Sequence, residues 1–191
     1  MKIKKLIMSA VTNAGFYLKR LYRVSLNIHK QEEILWNDLK KMHLHAEWRH
    51  GVYEKDRLIE TSFEIEDGQG LTFYYSVYNL CFHCRVKIIE QYPIELTTDL
   101  FILAAHFNNL LNNGVVIVHV NNGYVEYHQK RDLLIPLLYS DEIEEQINRH
   151  YNTAKDIYAA FQRLIKENEA PAIIIADLLN KIEEKNQNPE S

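Results

Sequence analysis

Apolar and polar residues alternate with period two through three consecutive stretches of the chain. In 59–66, Ile59, Thr61, Phe63 and Ile65 alternate with Glu60, Ser62, Glu64 and Glu66. In 71–78, Leu71, Phe73, Tyr75 and Val77 share one side, opposite Tyr74 and Tyr78. In 81–89, Phe82, Cys84, Val86 and Ile88 alternate with Cys81, His83, Arg85 and Lys87. Period two belongs to strands with one buried and one wet face, so three strands are predicted. Turn residues at Asp67, Gly68, Gln69 and Gly70, and a tight connection at Asn79 and Leu80, join them as an antiparallel meander. Pro93 ends the third strand. Helical spacing follows over 98–113, with Thr97 or Thr98 as cap and Asp99 in the first turn. Asn112, Asn113 and Gly114 read as a left-handed stop. Residues 115–120 and 124–128 then spell a hairpin about Asn122 and Gly123, a pair that tolerates the positive φ of a two-residue turn.

Helical patterns flank this centre. In 3–27, Ile3, Ile7, Ala10, Ala14, Tyr17, Leu21 and Val24 recur at alternating spacings of four and three, the seam of a helix packed along another helix. A second helix spans 31–44, with Ile34, Leu35, Leu39 and Met42 on one face. Residues 46–53 read equally as a short strand or a loop. The longest helix opens at Asp141 and runs to about residue 167 along Ile143, Ile147, Tyr151, Ala154, Phe161 and Ile165. Pro171 suits the first turn of a final helix that buries Ile175, Leu178, Leu179 and Ile182. The expected organisation is a basic helical extension over 1–30, an α+β domain over 31–184 and a disordered polar tail over 185–191.

Charge sharpens the division. The first 30 residues hold seven Lys and Arg and no acid, which leaves fifteen basic against twenty-six acidic side chains, a balance of −11. The net charge of −4 argues against nucleic acid as the main partner. The basic seam helix needs an apolar counterpart: the acidic body, a second copy, or an anionic lipid surface. Ala10 and Ala14 favour protein, since small side chains allow close helix contact and contribute little insertion energy, about 0.8 kcal/mol per buried CH₂ being the yardstick. No stretch reaches the ~20 apolar residues of a membrane-spanning helix. A weak basic-then-apolar start lacks a cleavage site, and two cysteines three apart offer no disulfide framework, so a cytoplasmic location is expected.

The chemistry is sparse. Cys81 and Cys84 form a CxxC, but a strand puts them on opposite faces, which opposes thiol redox catalysis. His43, His45 and His50, and the Cys81 and His83 pair, match no standard metal spacing. Glu60, Glu64 and Glu66 lie on a wet strand face, and Glu142, Glu144 and Glu145 suit a helix start, so neither set reads as an acid–base pair. No phosphate loop or nucleophile elbow occurs. The chain therefore reads as a non-enzyme without cofactor, metal or small-molecule substrate. Twelve tyrosines are the larger signal, because Tyr combines apolar contact area with a polar tip. The expected partner-binding residues are Tyr74 and Tyr78 on the sheet and Ile7, Ala10, Ala14, Tyr17 and Leu21 on the seam. The competing readings are a peripheral membrane protein and a thiol or metal enzyme using Cys81, His83 and Cys84.

The order of helix, meander, helix, hairpin and long helix, with Pro93 and Glu95, Asn108 and Asn109, then Asn113 and Gly114, resembles the YbjN-like family. That family is named for sensory-transduction regulation in bacteria. The resemblance covers about residues 31–168 and leaves the basic helix and the Pro171 helix outside. It implies an α+β fold like that of type III secretion chaperones. That fold has a five-stranded antiparallel sheet with helices on one side and is often a homodimer. The family has no established catalytic residues to transfer. The function implied is an interaction module, chaperone-like or regulatory, binding a protein through an exposed sheet face or helix groove.

Overall fold

The computed structural model describes residues 15, 17–66, 69–132 and 142–187. Residues 17–25 form helix α1. Helix α2 (Ile28–His45) starts where Asn27 Oδ1 accepts the Lys30 backbone N–H at 3.1 Å. Strands β1 (His50–Tyr53), β2 (Leu58–Glu66), β3 (Gln69–Tyr78) and β4 (Cys81–Ile89) follow. Then come α3 (Thr97–Leu110), β5 (Val115–His119), β6 (Tyr124–Asp132), α4 (Glu142–Lys166) and α5 (Pro171–Gln187). The antiparallel sheet has six strands in the order β1-β2-β3-β4-β6-β5, one more than the five expected. The extra strand resolves residues 46–53: His50 to Tyr53 pair with Thr61 to Leu58. This edge strand is too short and too wet to show an alternating face, so pairing alone reveals it.

The described chain divides into two compact units. The first comprises the described parts of Met1–Thr61, Tyr75–His83 and Arg131–Asn148. Here α2 buries Leu35, Trp36, Leu39 and His43, whose ring lies 5.7 Å from that of Tyr75. The β3–β4 turn holds Asn79 at φ 48° and Leu80 at φ 62°. Both central residues are thus left-handed, as primed hairpin turns require. Glu32 of α2 steadies this turn, accepting from Leu80 N at 3.1 Å and from Arg57 Nη1 at 3.1 Å.

The second unit comprises the described parts of Ser62–Tyr74, Cys84–Lys130 and Arg149–Ser191. Helix α4 packs on Phe73 and Tyr127 through His150, edge-on to Phe73 at 5.3 Å and stacked on Tyr127 at 5.0 Å. Tyr151 donates its hydroxyl to Glu64 O at 2.8 Å. Helix α3 covers the edge strand: Asn108 Nδ2 donates to Val116 O at 3.1 Å, and Val116 N donates to Asn108 Oδ1 at 2.7 Å. One side-chain amide thereby replaces a missing neighbour strand at that residue. Arg163 closes the α4–α5 turn, donating to both Glu169 oxygens at 2.6 and 2.8 Å and to Asp177 at 2.6 Å.

Several local expectations change. Asn122 and Gly123 do not form a two-residue turn. His119 pairs with Tyr124, so four residues bridge β5 and β6, and only Gly123 has positive φ, at 66°. Neither Thr97 nor Thr98 caps α3; the Thr97 hydroxyl donates back to Ile94 O at 2.6 Å. The helix ends at Leu110 as Leu111 turns extended, with no left-handed residue at Asn112, Asn113 or Gly114. Gly114 is needed for space: a Cβ there would lie 2.6 Å from a Tyr127 ring carbon. In α4, Leu164 is buried where Ile165 was expected, as the stripe drifts around the helix. In α5, Ile174 and Ile175 are buried, whereas Leu179 is 42% exposed. This helix continues to Gln187, past the boundary drawn at 184, and residues 188–191 lie outside the described residues.

Candidate functional site

Strand alternation in the second unit sends Phe73, Val86, Val118, Val125 and Tyr127 into the core. Their neighbours therefore point to the other face of the sheet. That face carries Tyr74 from β3, Arg85 and Lys87 from β4, and Tyr124, Glu126 and His128 from β6. Register sets His119 of β5 opposite Tyr124 and Ile117 opposite Glu126. The face remains open to solvent: Arg85, Lys87, His119 and His128 side chains are 50, 39, 30 and 38% exposed.

Glu126 is the exception on this face, only 8% exposed. Its Oε1 lies 3.3 Å from Arg85 Nε, and its Oε2 lies 2.9 Å from His128 Nε2 and 3.3 Å from His119 Nε2. The imidazole nitrogens approach at ion-pair distance but away from the line of an ideal hydrogen bond. Burial pushes the Glu126 carboxyl pKa up, yet His128, Arg85 and His119 outweigh it and hold the group below its ordinary value. The carboxylate is therefore ionised near neutrality and lies against the Arg85 guanidinium and two imidazoles.

Aromatic rings flank the basic side chains of this face. The Arg85 guanidinium lies 5.3 Å from the Tyr74 ring centroid and the Lys87 ammonium 4.9 Å from that of Tyr124. His119 stacks on Tyr124 at 4.2 Å. Lys87 also meets Glu90 at 3.1 Å, an outer pair in which Glu90 is 81% exposed. Beside Tyr74 and Lys87 opens a cleft of about 360 Å³. In its wall, Gln162 holds a buried Oε1 without a hydrogen-bond partner among the described residues. This face thus combines aromatic contact area, the positive charge of Arg85 and Lys87, and a buried acceptor. Its buried carboxylate, Glu126, is held by Arg85 and two imidazoles and poorly placed to abstract a proton.

The expected site residues separate. Tyr74 lies in this cluster. Tyr78, 47% exposed, belongs to the other unit, where its ring stacks on His83 at 4.0 Å and 1°. Tyr17 and Leu21 are 63 and 59% exposed on α1, accompanied by Leu18 and Tyr22. Ile7, Ala10 and Ala14 lie outside the described residues. Glu126, His119 and His128 escaped the sequence reading. Their signal was the polar alternation of Tyr124, Glu126 and His128, but Glu126's burial depends on side chains from two other strands.

The cysteines occupy opposite faces as expected, but Cys81 is buried, not wet, at 3% exposure. Its thiol lies 3.8 Å from Asp132 Oδ1. Burial pushes the Cys84 thiol pKa well up, away from the reactive thiolate. Among the described residues, no group of three or more His, Cys, Asp or Glu side chains is placed to hold a metal ion. No described helix is long and apolar enough to cross a membrane.

No family model matches the sequence, and no curated protein matches it. The structure is similar to the crystal structure of YbjN from E. coli, a protein proposed to regulate transcription. The likeness has a TM-score of 0.50 at 7% identity and covers 68% of this chain and 93% of that one. The fold is therefore YbjN-like, as the element order implied. At this identity the likeness extends to fold alone, and it is compatible with a non-enzymatic interaction module.

Proposed function

We propose that this chain is a non-enzymatic interaction module that receives an acidic, extended segment of a protein partner on the sheet face around Glu126. The carrying observation is that Arg85 and Lys87 lie over Tyr74 and Tyr124 on one open face, where Glu126 is held by Arg85, His119 and His128. Partner carboxylates can share these cations without displacing water from an isolated charge, and the tyrosines supply contact area at low entropic cost. Peptide N–H groups suit the unpaired acceptor on Gln162.

Fluorescence anisotropy with a labelled acidic 12-residue peptide tests this reading, with a neutral peptide and single-stranded RNA as comparators. The acidic peptide is expected to bind best, with salt-sensitive affinity lowered about tenfold by Arg85→Ala with Lys87→Ala. Equal binding of the neutral peptide, or preference for RNA, would remove the proposal.

Helix α1 favours a second contact surface. Its end is fastened to α2 by Arg23 to Asp38 at 2.8 Å and by Gln31 Nε2 to Val24 O and Leu26 O at 3.0 and 2.7 Å. Tyr17, Leu18, Leu21 and Tyr22 nevertheless remain exposed. Such an apolar face calls for a protein counterpart, a second copy included, in preference to lipid. Light scattering across concentration is expected to show association that Leu18→Asp with Leu21→Asp reverses. Salt-sensitive sedimentation of the wild type with anionic vesicles would instead select the membrane.

A further inference from the structure

Helices α3, α4 and α5 border an open cavity of about 280 Å³ within the second unit. It shares no residue with the sheet-face site. The space exists because α4 presents Ala159 and Ala160 where α3 contributes Phe107 and Leu110 and α5 contributes Leu178. Phe107 and Ala160 are buried at 6 and 3% exposure and form an apolar interior.

The polar members of the lining divide into committed and uncommitted groups. Arg163 is committed through Nε and Nη2 to Glu169 and Asp177. Thr153 is engaged with the Tyr127 phenol. Asp156 and Lys181 line the same cavity, are exposed, and have no ion-pair or hydrogen-bond partner among the described residues. Asp156 and Lys181 therefore border an apolar pocket whose volume lies near the lower end of the range usual for small ligands.

We infer that this cavity binds a free α-amino acid with an apolar side chain. The side chain fills the space over Phe107 and Ala160, Asp156 receives the ammonium group, and Lys181 receives the carboxylate. A purely apolar ligand would leave both charges unused. A simple carboxylate would face Asp156 with a like charge, and a simple amine would face Lys181 the same way. Only a zwitterion satisfies both signs.

Isothermal titration of the full chain with L-phenylalanine tests this, using L-serine, 3-phenylpropionate and 2-phenylethylamine as comparators. Saturable binding of L-phenylalanine is expected, with each comparator weaker by about tenfold or more. Asp156→Asn and Lys181→Gln should each weaken binding by a similar factor. Ala159→Leu changes an exposed position and should abolish binding by filling the cavity, with circular dichroism confirming an intact fold. Absence of saturable binding by the wild type overturns the inference, as does binding that Ala159→Leu leaves unchanged. Loss in only one charge variant would indicate a simple amine or carboxylate and overturn the zwitterion.

Discussion

Acid stability offers a quantitative test of how this core is built. His150 is fully buried between Tyr127 and Phe73. Burial, aided by the charge of nearby His128, lowers its pKa from 6.5 to about 3. The unfolded chain takes up this proton near pH 6.5, whereas the folded chain resists it until about pH 3. The stabilisation is thus fully present above the unfolded value and is lost as pH falls from there towards the folded value. Linkage puts the loss from this one group at about 2 kcal/mol by about pH 5 and about 3 kcal/mol by about pH 4. Those losses are large beside a typical domain stability of about 5–15 kcal/mol. Urea unfolding followed by circular dichroism between neutral pH and about pH 4, on wild type and His150→Phe, isolates the contribution. The variant keeps a ring between Tyr127 and Phe73, and its stability is expected to fall less with acid by about 3 kcal/mol. His43, whose pKa burial also lowers, is present in both proteins and cancels in the difference. Parallel stability curves, or a His150 titration by NMR near the ordinary histidine value, would refute the reasoning.

Glu126→Gln should cost about 1–3 kcal/mol near neutrality, because it leaves Arg85, His119 and His128 without their common anion. The Glu126 stabilisation is present above the unfolded carboxyl pKa and lost as pH falls through its lowered folded value, so the wild-type advantage over the variant should shrink in acid. Gly114→Ala should lower stability by about 1–3 kcal/mol, since its Cβ would meet the buried Tyr127 ring; an unchanged melting temperature would show that the ring yields freely. Both thiols should resist Ellman's reagent in the native protein and react on denaturation, Cys81 and Cys84 being buried. Rapid native labelling would contradict their inert role.

What the sequence determined by itself was everything that depends on near neighbours. Strict alternation in β2, β3 and β4 separates Phe73 and Tyr75 from Tyr74, and Phe82 from His83, without knowledge of any partner strand. Helical spacing likewise identified α2, α3, α4 and α5, since an amphipathic helix records its buried side in its own sequence. Tertiary structure decided what distant segments impose. The strand at His50–Tyr53 exists because β2 pairs with it. The tight connection read at Asn79 and Leu80 is borne out and gains support from Glu32 of a distant helix, while the stronger local signal at Asn122 and Gly123 becomes a longer loop. Cys81 belongs to the polar alternation of β4 but is buried, its thiol against Asp132. Glu126 occupies a polar position of β6, and its burial arises where Arg85 from β4 and His119 from β5 converge on it with His128. Periodicity encodes which side of an element faces inward; which side chains meet there is set by strand order and helix docking, and those arise from contacts far apart in the chain.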